Sequence, residues 1–233
     1  MKKILSICLL LLPAILFGQE CGGYFYLQKN ATIQMSSFNK NNEPGVVVTS
    51  HVLSVSPTSG GVTSDFTTTI KDQKGAVLDQ AKGQMNCENG NLMVSMRQSI
   101  PASSLKEFQN MRVEASEGSL AYPSSMQVGQ HLSGASFHMD IYKNESAKKF
   151  ATVSYTISDR TVTGKESLTT PAGNWDCLKI SYKMVMKVKI GIGIPTRFNV
   201  VEWFVPGFGI VKTADYNKKG KLIGYTELTM LKK

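Results

Sequence analysis

The chain has 233 residues, of which 18% are charged and 42% hydrophobic, with 26 Lys and Arg against 17 Asp and Glu. That length holds one generous core or two small ones, and all-β barrels and sandwiches of this size are often single domains. The basic excess is scattered and forms no arginine-rich or aromatic-interleaved stripe, so a nucleic-acid partner is not expected; no run after the N-terminus is long and apolar enough to span a bilayer.

The first element is a targeting segment. Met1-Lys2-Lys3 is a short positive stretch, and Ile4 to Phe17 is an almost unbroken apolar run ending at Gly18, the pattern of a secretory signal over residues 1–18. Export to a bacterial periplasm or beyond is therefore expected, with residues 19–233 forming one β-rich unit that carries 24 basic and 17 acidic residues, a formal charge of +7. A lipid anchor on Cys21 is not expected, because Gln19 and Glu20 stand where small residues are needed.

Cys8 leaves with the signal, so Cys21, Cys87 and Cys177 remain. An oxidising compartment permits a disulfide. Cys21 with Cys87 is the pairing expected, since both sit at edges of predicted strands in the first half, whereas Cys177 lies mid-strand as a buried, inert thiol. The cysteine spacings form no metal-ligand pattern.

Turn chemistry then punctuates the chain. Asp72-Gln73-Lys74-Gly75 and Asn217-Lys218-Lys219-Gly220 each begin with a side chain that can bind the turn backbone and end in a glycine, as four-residue hairpin loops do. Asn89-Gly90 marks a tight two-residue hairpin. The matching turns hint at two related β-meanders joined near residues 100–130. Between them, Ser104-Leu105-Lys106-Glu107 has capping-box spacing, which predicts one short helix from about Leu105 to Met111, followed by a loop with at most a short strand from Arg112 to Gln130.

Beyond this point period-two alternation dominates. Phe137, Met139 and Ile141 alternate with His138, Asp140 and Tyr142; Ala151, Val153, Tyr155 and Ile157 with Thr152, Ser154, Thr156 and Ser158; Met184, Met186, Val188 and Ile190 with Lys183, Val185, Lys187 and Lys189. These are antiparallel-type strands with one wet face. Gly191-Ile192-Gly193-Ile194-Pro195 is expected to be a hairpin loop between Lys189 and Arg197, because it lacks the spacing and following helix of a dinucleotide site. The fold class is thus mainly β, a curved antiparallel sheet or half-barrel with one short helix.

No catalytic constellation emerges. The histidines, His51, His131 and His138, belong to no recognisable hydrolase or metal-site motif; His138 and Asp140 share a strand face, where two solvated polar residues are a simpler account than a cation site. No metal or cofactor is expected. Glu202, among Val200, Val201, Trp203 and Val205, is either a partly buried acid with a raised pKa or a carboxylate that points outward or pairs with a lysine of the Met184 strand.

Three runs carry a family likeness: Tyr122-Pro123-Ser124-Ser125-Met126-Gln127-Val128-Gly129-Gln130, then Thr170-Pro171-Ala172-Gly173-Asn174-Trp175-Asp176-Cys177-Leu178-Lys179-Ile180, then Glu202-Trp203-Phe204-Val205-Pro206-Gly207-Phe208-Gly209-Ile210-Val211-Lys212. In order and spacing the chain resembles the TapB-like family of exported proteins, over roughly Tyr122 to Met230. The resemblance implies a periplasmic β-rich domain akin to the half-barrels of lipoprotein carriers, with no catalytic residues to transfer.

The most suggestive composition is methionine, 11 in all, since a flexible, polarisable side chain can repack around varied apolar partners. If the sheet curls around an incompletely filled interior, Phe137, Met139, Tyr155, Met184 and Met186 would line a site for an acyl chain or other apolar ligand; otherwise they fill an ordinary core. The expectation is a non-enzymatic binding or carrier module for an apolar or lipid-like small molecule. The alternative is a structural component of the cell envelope that meets another protein through exposed strand edges.

Overall fold

The computed structural model describes residues 21, 23–96, 111–143 and 148–233. The expected signal over residues 1–18 and the capping box at Ser104 lie outside these residues. A 3-10 turn, Phe25–Leu27, is followed by β1 Thr32–Asn39, β2 Pro44–Thr58, β3 Gly61–Lys71, β4 Val77–Glu88 and β5 Asn91–Ser95. Then come β6 Met111–Ala115, β7 Ser119–Pro123, β8 His131–Leu132, β9 Ala135–Lys143 and β10 Lys149–Thr170, and finally β11 Gly173–Ile190, β12 Ile192–Val205, β13 Gly209–Asn217 and β14 Leu222–Lys232.

All fourteen strands belong to one antiparallel sheet, ordered β6-β9-β10-β11-β12-β13-β14-β1-β2-β3-β4-β5-β7, with β8 beside β10. The sheet curls into a half-barrel. Val52, Phe66 and Met85 from one side pack in the same cluster as Phe137, Tyr155 and Ile180 from the other, so this shared face is the inner one. Strand alternation places a second cluster, built on Cys177, Trp203, Val211 and Leu228, on the outer face of β11 to β14 and β1. The terminal strands of the path, β6 and β7, are joined by residues 116–118 alone. There Ser116 N–H donates to the His138 carbonyl of β9, at one edge of the sheet, and Met96 N–H just after β5, at the other edge, donates to the Gly118 carbonyl.

The turns form as their side chains dictate. The Asp72 carboxylate accepts from the N–H groups of Lys74 and Ala76, each at 2.9 Å, and Asn217 does the same for Lys219 and Lys221. Asn89 and Gly90 both have positive φ, 50° and 77°, as a twisted two-residue hairpin requires.

Three local expectations are corrected. Met111 is not the end of a helix: it opens β6 opposite Lys143, a mostly exposed strand that pairs with the free edge of β9. The segment from Arg112 to Gln130 holds two strands, β6 and β7; Leu120 and Tyr122 of β7 are buried in alternation against β5, a pattern hidden by the surrounding Ser, Gly and Pro. The glycine-rich run is not a long loop either. Ladder pairing continues through Val188 with Ile194 to Ile190 with Ile192, because Gly191, at φ 74°, reverses the chain by itself.

Cys21 and Cys87 are joined by a disulfide with Cα atoms 5.7 Å apart. It pins the N-terminal segment to β4, and Ser64 Oγ donates to the Tyr26 carbonyl beside it.

Candidate functional site

The inner face of β9 to β12 collects the apolar residues singled out by sequence. Tyr155 stands opposite Phe137 on one side and Met186 on the other. In the adjacent rows Val153 lies between Met139 and Val188, and Ile157 between Ala135 and Met184. Phe137, Met139 and Tyr155 are buried, while Met184 and Met186 are half-buried against the same cluster. The five residues therefore share one surface, and that surface opens along β11 toward its hairpin with β12.

Behind it lies a buried polar cluster. In β10 the register shifts between Ser158 and Thr161, and Asp159 takes a positive φ of 56°. This extra residue switches the inward positions from odd (Val153, Tyr155, Ile157) to even, so that Arg160 turns inward with 1% exposure while Asp159 points out to Lys183 at 2.9 Å. The Arg160 Nη1 donates to the carbonyls of Ala121 in β7 and Ser133, at 3.1 and 2.8 Å, and the guanidinium sits 4.6 Å over the Tyr122 ring. Among the described residues its Nε and Nη2 meet no hydrogen-bond partner.

Glu202 is the anionic counterpart. Only 2% exposed, it accepts from the Tyr122 hydroxyl on Oε2 and the Tyr182 hydroxyl on Oε1, each at 2.8 Å. Burial raises its pKa, opposed by the Arg160 charge and by the two phenols. The same burial, with the Glu202 charge, holds both phenols well above their ordinary range. Tyr122 also stacks on Phe204 at 5.0 Å and 5°. Asp215 of β13, diagonal to Glu202 across the Val200 and Thr213 positions, is pushed up to about 6 by burial and by Glu202.

The outward or lysine-paired account of Glu202 is thus corrected: it faces inward because the even positions of β12, from Phe198 to Phe204, are the core face. Its oxygens are both engaged, and the cluster fastens β7, a terminal strand of the sheet, to β10, β11 and β12. Taking these groups out of water costs desolvation that their hydrogen bonds offset, so removing one member leaves others short of partners.

The remaining candidates are placed elsewhere. Asp140 accepts from Lys149 Nζ and Thr152 Oγ1, both at 2.7 Å, and these contacts hold its carboxyl below the usual range. His51 meets Thr32 and His131 meets Thr161. Among the described residues no three His, Cys, Asp or Glu side chains gather as a metal site. Cys177 is a buried free thiol whose pKa burial raises to about 11, far from the thiolate form that reacts.

Sequence reasoning missed Arg160, Tyr122, Tyr182 and Asp215. A signal for Arg160 was available: after Ile157 the alternation slips by one at Ser158-Asp159, which marks a bulge. Nothing local marks Tyr122 as a partner of Glu202, 80 residues away.

Comparisons place the molecule among known folds. A candidate lipoprotein from Parabacteroides distasonis superposes with a TM-score of 0.77 at 20% identity, over 90% of this chain and 99% of the other. A candidate exported protein with a YmcC-like fold from Bacteroides fragilis gives 0.74 at 20% identity, over the same shares. These likenesses establish the fold alone. No curated protein matches the chain, and among described residues no helix is long and apolar enough to cross a membrane. The DUF3108-like family matches residues 28–228, and the chain belongs to that family.

Proposed function

We propose that the protein is a non-enzymatic periplasmic carrier that holds an apolar or lipid-like ligand against the inner face of β9 to β12. Within its family we place it with the TapB-like proteins, on the order and spacing of the three runs ending at Lys212.

One observation carries the reading. The apolar inner face does not stop where the core closes: from buried Tyr155 it passes to half-buried Met184, Met186 and Val188, then to Ile190 and Ile194, 54% and 74% exposed. A strip of this kind is a surface on which an acyl chain can lie, with flexible methionines where shape must adapt. The exported and lipoprotein character of the two structural relatives supports a place in the envelope. The engagement of both Glu202 oxygens by phenols supports a role other than proton transfer.

The test is native mass spectrometry of protein purified from the periplasm, followed by solvent extraction and titration with an apolar fluorescent dye. A co-purifying lipid, with dye binding that falls in Met186→Glu, is expected. No lipid and no dye binding would overturn the carrier reading and favour a protein-interaction component.

A further inference from the structure

Among the described residues nothing buries the hydrophobes at the end of the β11–β12 hairpin. Ile190, Ile192 and Ile194 are 54%, 89% and 74% exposed, on the inner-face side of the two strands. Large apolar side chains clustered at a hairpin tip are costly to leave in water, and such patches mark contact sites.

The charges around them narrow the partner. No acidic residue occurs between Asp176 and Glu202, and the outward positions beside the isoleucines carry Lys187, Lys189 and Arg197. Among the described residues these three have no ion-pair partner. The Lys187 stem lies across Gly193, where any Cβ would meet it at 2.5 Å, so the cationic head is carried toward the tip.

Topology extends this pattern to a whole rim. Because the path is an antiparallel meander, the turns at 39–44, 71–77, 190–192 and 217–222 and the strand ends at Lys143 and Lys149 fall at one end of the sheet. These positions contain eight lysines against two acids, Glu43 and Asp72. The turns at the other end, 58–61, 88–91, 170–173 and 205–208, contain no Lys or Arg and one Glu. The asymmetry is fixed by strand direction and cannot be seen in the net charge.

We infer that this rim docks on an anionic lipid surface, with the isoleucine tip inserted at the headgroup boundary and the lysines meeting lipid phosphates. Exposed aliphatics ringed by cations are what such an interface selects, since apolar burial and attraction to anionic headgroups add. A nucleic acid would satisfy the lysines but not the isoleucines; a second copy of the chain would satisfy the isoleucines but set the lysines against each other. The inference goes beyond the carrier reading and stands without it, because docking needs only the rim and no filled interior.

The experiment is co-sedimentation of the purified chain with vesicles of phosphatidylethanolamine and phosphatidylglycerol, against phosphatidylcholine vesicles. Binding to the anionic vesicles is expected, falling about tenfold or more in Ile192→Ser/Ile194→Ser and again in Lys187→Glu/Lys189→Glu, and weakening as salt is raised. Ile192→Trp should show a blue-shifted emission with anionic vesicles only. Equal binding by the wild type and both double variants, or no binding with tip-dependent self-association in native mass spectrometry, would overturn the proposal. Circular dichroism of each variant confirms that the fold is retained. A chain that binds dye but not vesicles would sink the docking alone, and the reverse would sink the carrier reading alone.

Discussion

Arg160 and Ile192 belong to the same inner side of one sheet, yet they depart from the ordinary rule of burial in opposite directions. Arg160 is a charge with 1% exposure and Ile192 a hydrophobe with 89%. The guanidinium is held by two carbonyls, the Tyr122 ring and the field of Glu202, so its explanation lies within the molecule. Among the described residues nothing covers the isoleucine, and the proposed docking supplies its explanation. The contrast separates residues that hold the half-barrel together from residues offered to a partner.

The largest effects should come from the polar cluster. Arg160→Ala strips the buried carbonyls of Ala121 and Ser133 of their donor and Glu202 of a nearby positive field, and should cost about 2–4 kcal/mol in denaturant unfolding; a loss below about 1 kcal/mol would remove Arg160 from the architecture and break the comparison. Tyr122→Phe keeps the stack on Phe204 but deletes one donor to a buried carboxylate, for a loss of about 1.5–3 kcal/mol.

Asp215 sharpens the same side through pH. Its folded pKa, raised to about 6, exceeds the unfolded value, so the folded chain binds the proton more tightly. Stability from this group is therefore greatest at low pH and falls as pH rises from about 4 through about 6. Glu202, also raised, acts in the same direction. Asp215→Asn should flatten that fall and raise stability near pH 7 by on the order of 1–2 kcal/mol, after discounting for partial solvent screening. Unfolding midpoints measured across that range check the sign; a wild type that gains stability over the interval, with the variant unchanged, would contradict it.

The smallest effect belongs to the rim. Ile192→Ser and Ile194→Ser should each change stability by no more than about 0.5 kcal/mol, as exposed substitutions do. A loss comparable to that of Tyr122→Phe would make the tip part of the core and erase the distinction.

Much of the local architecture was legible from consecutive residues. The faces of β9, β10 and β11 follow from alternation, because a strand's side-chain period is two residues and needs no neighbour to define it. The turns at Asp72, Asn89 and Asn217 were legible for the same reason, each being decided by the side chain and glycine within four positions. The strands β6 and β7 were not, since each has only five residues and is recruited by a partner edge. Glu202 was visible as an unusual acid, but its orientation depended on which parity of β12 faces the core.

The sequence by itself thus determined which residues share a strand face and where the chain turns back, both consequences of backbone periodicity and steric preference over a few residues. Only the tertiary structure decided that Tyr122 reaches Glu202 across 80 residues, that the bulge at Asp159 turns Arg160 inward, and that lysines scattered through the chain share one rim. Those outcomes depend on strand order and curl, in which β14 closes beside β1, and long-range pairing of this kind leaves no trace in local composition.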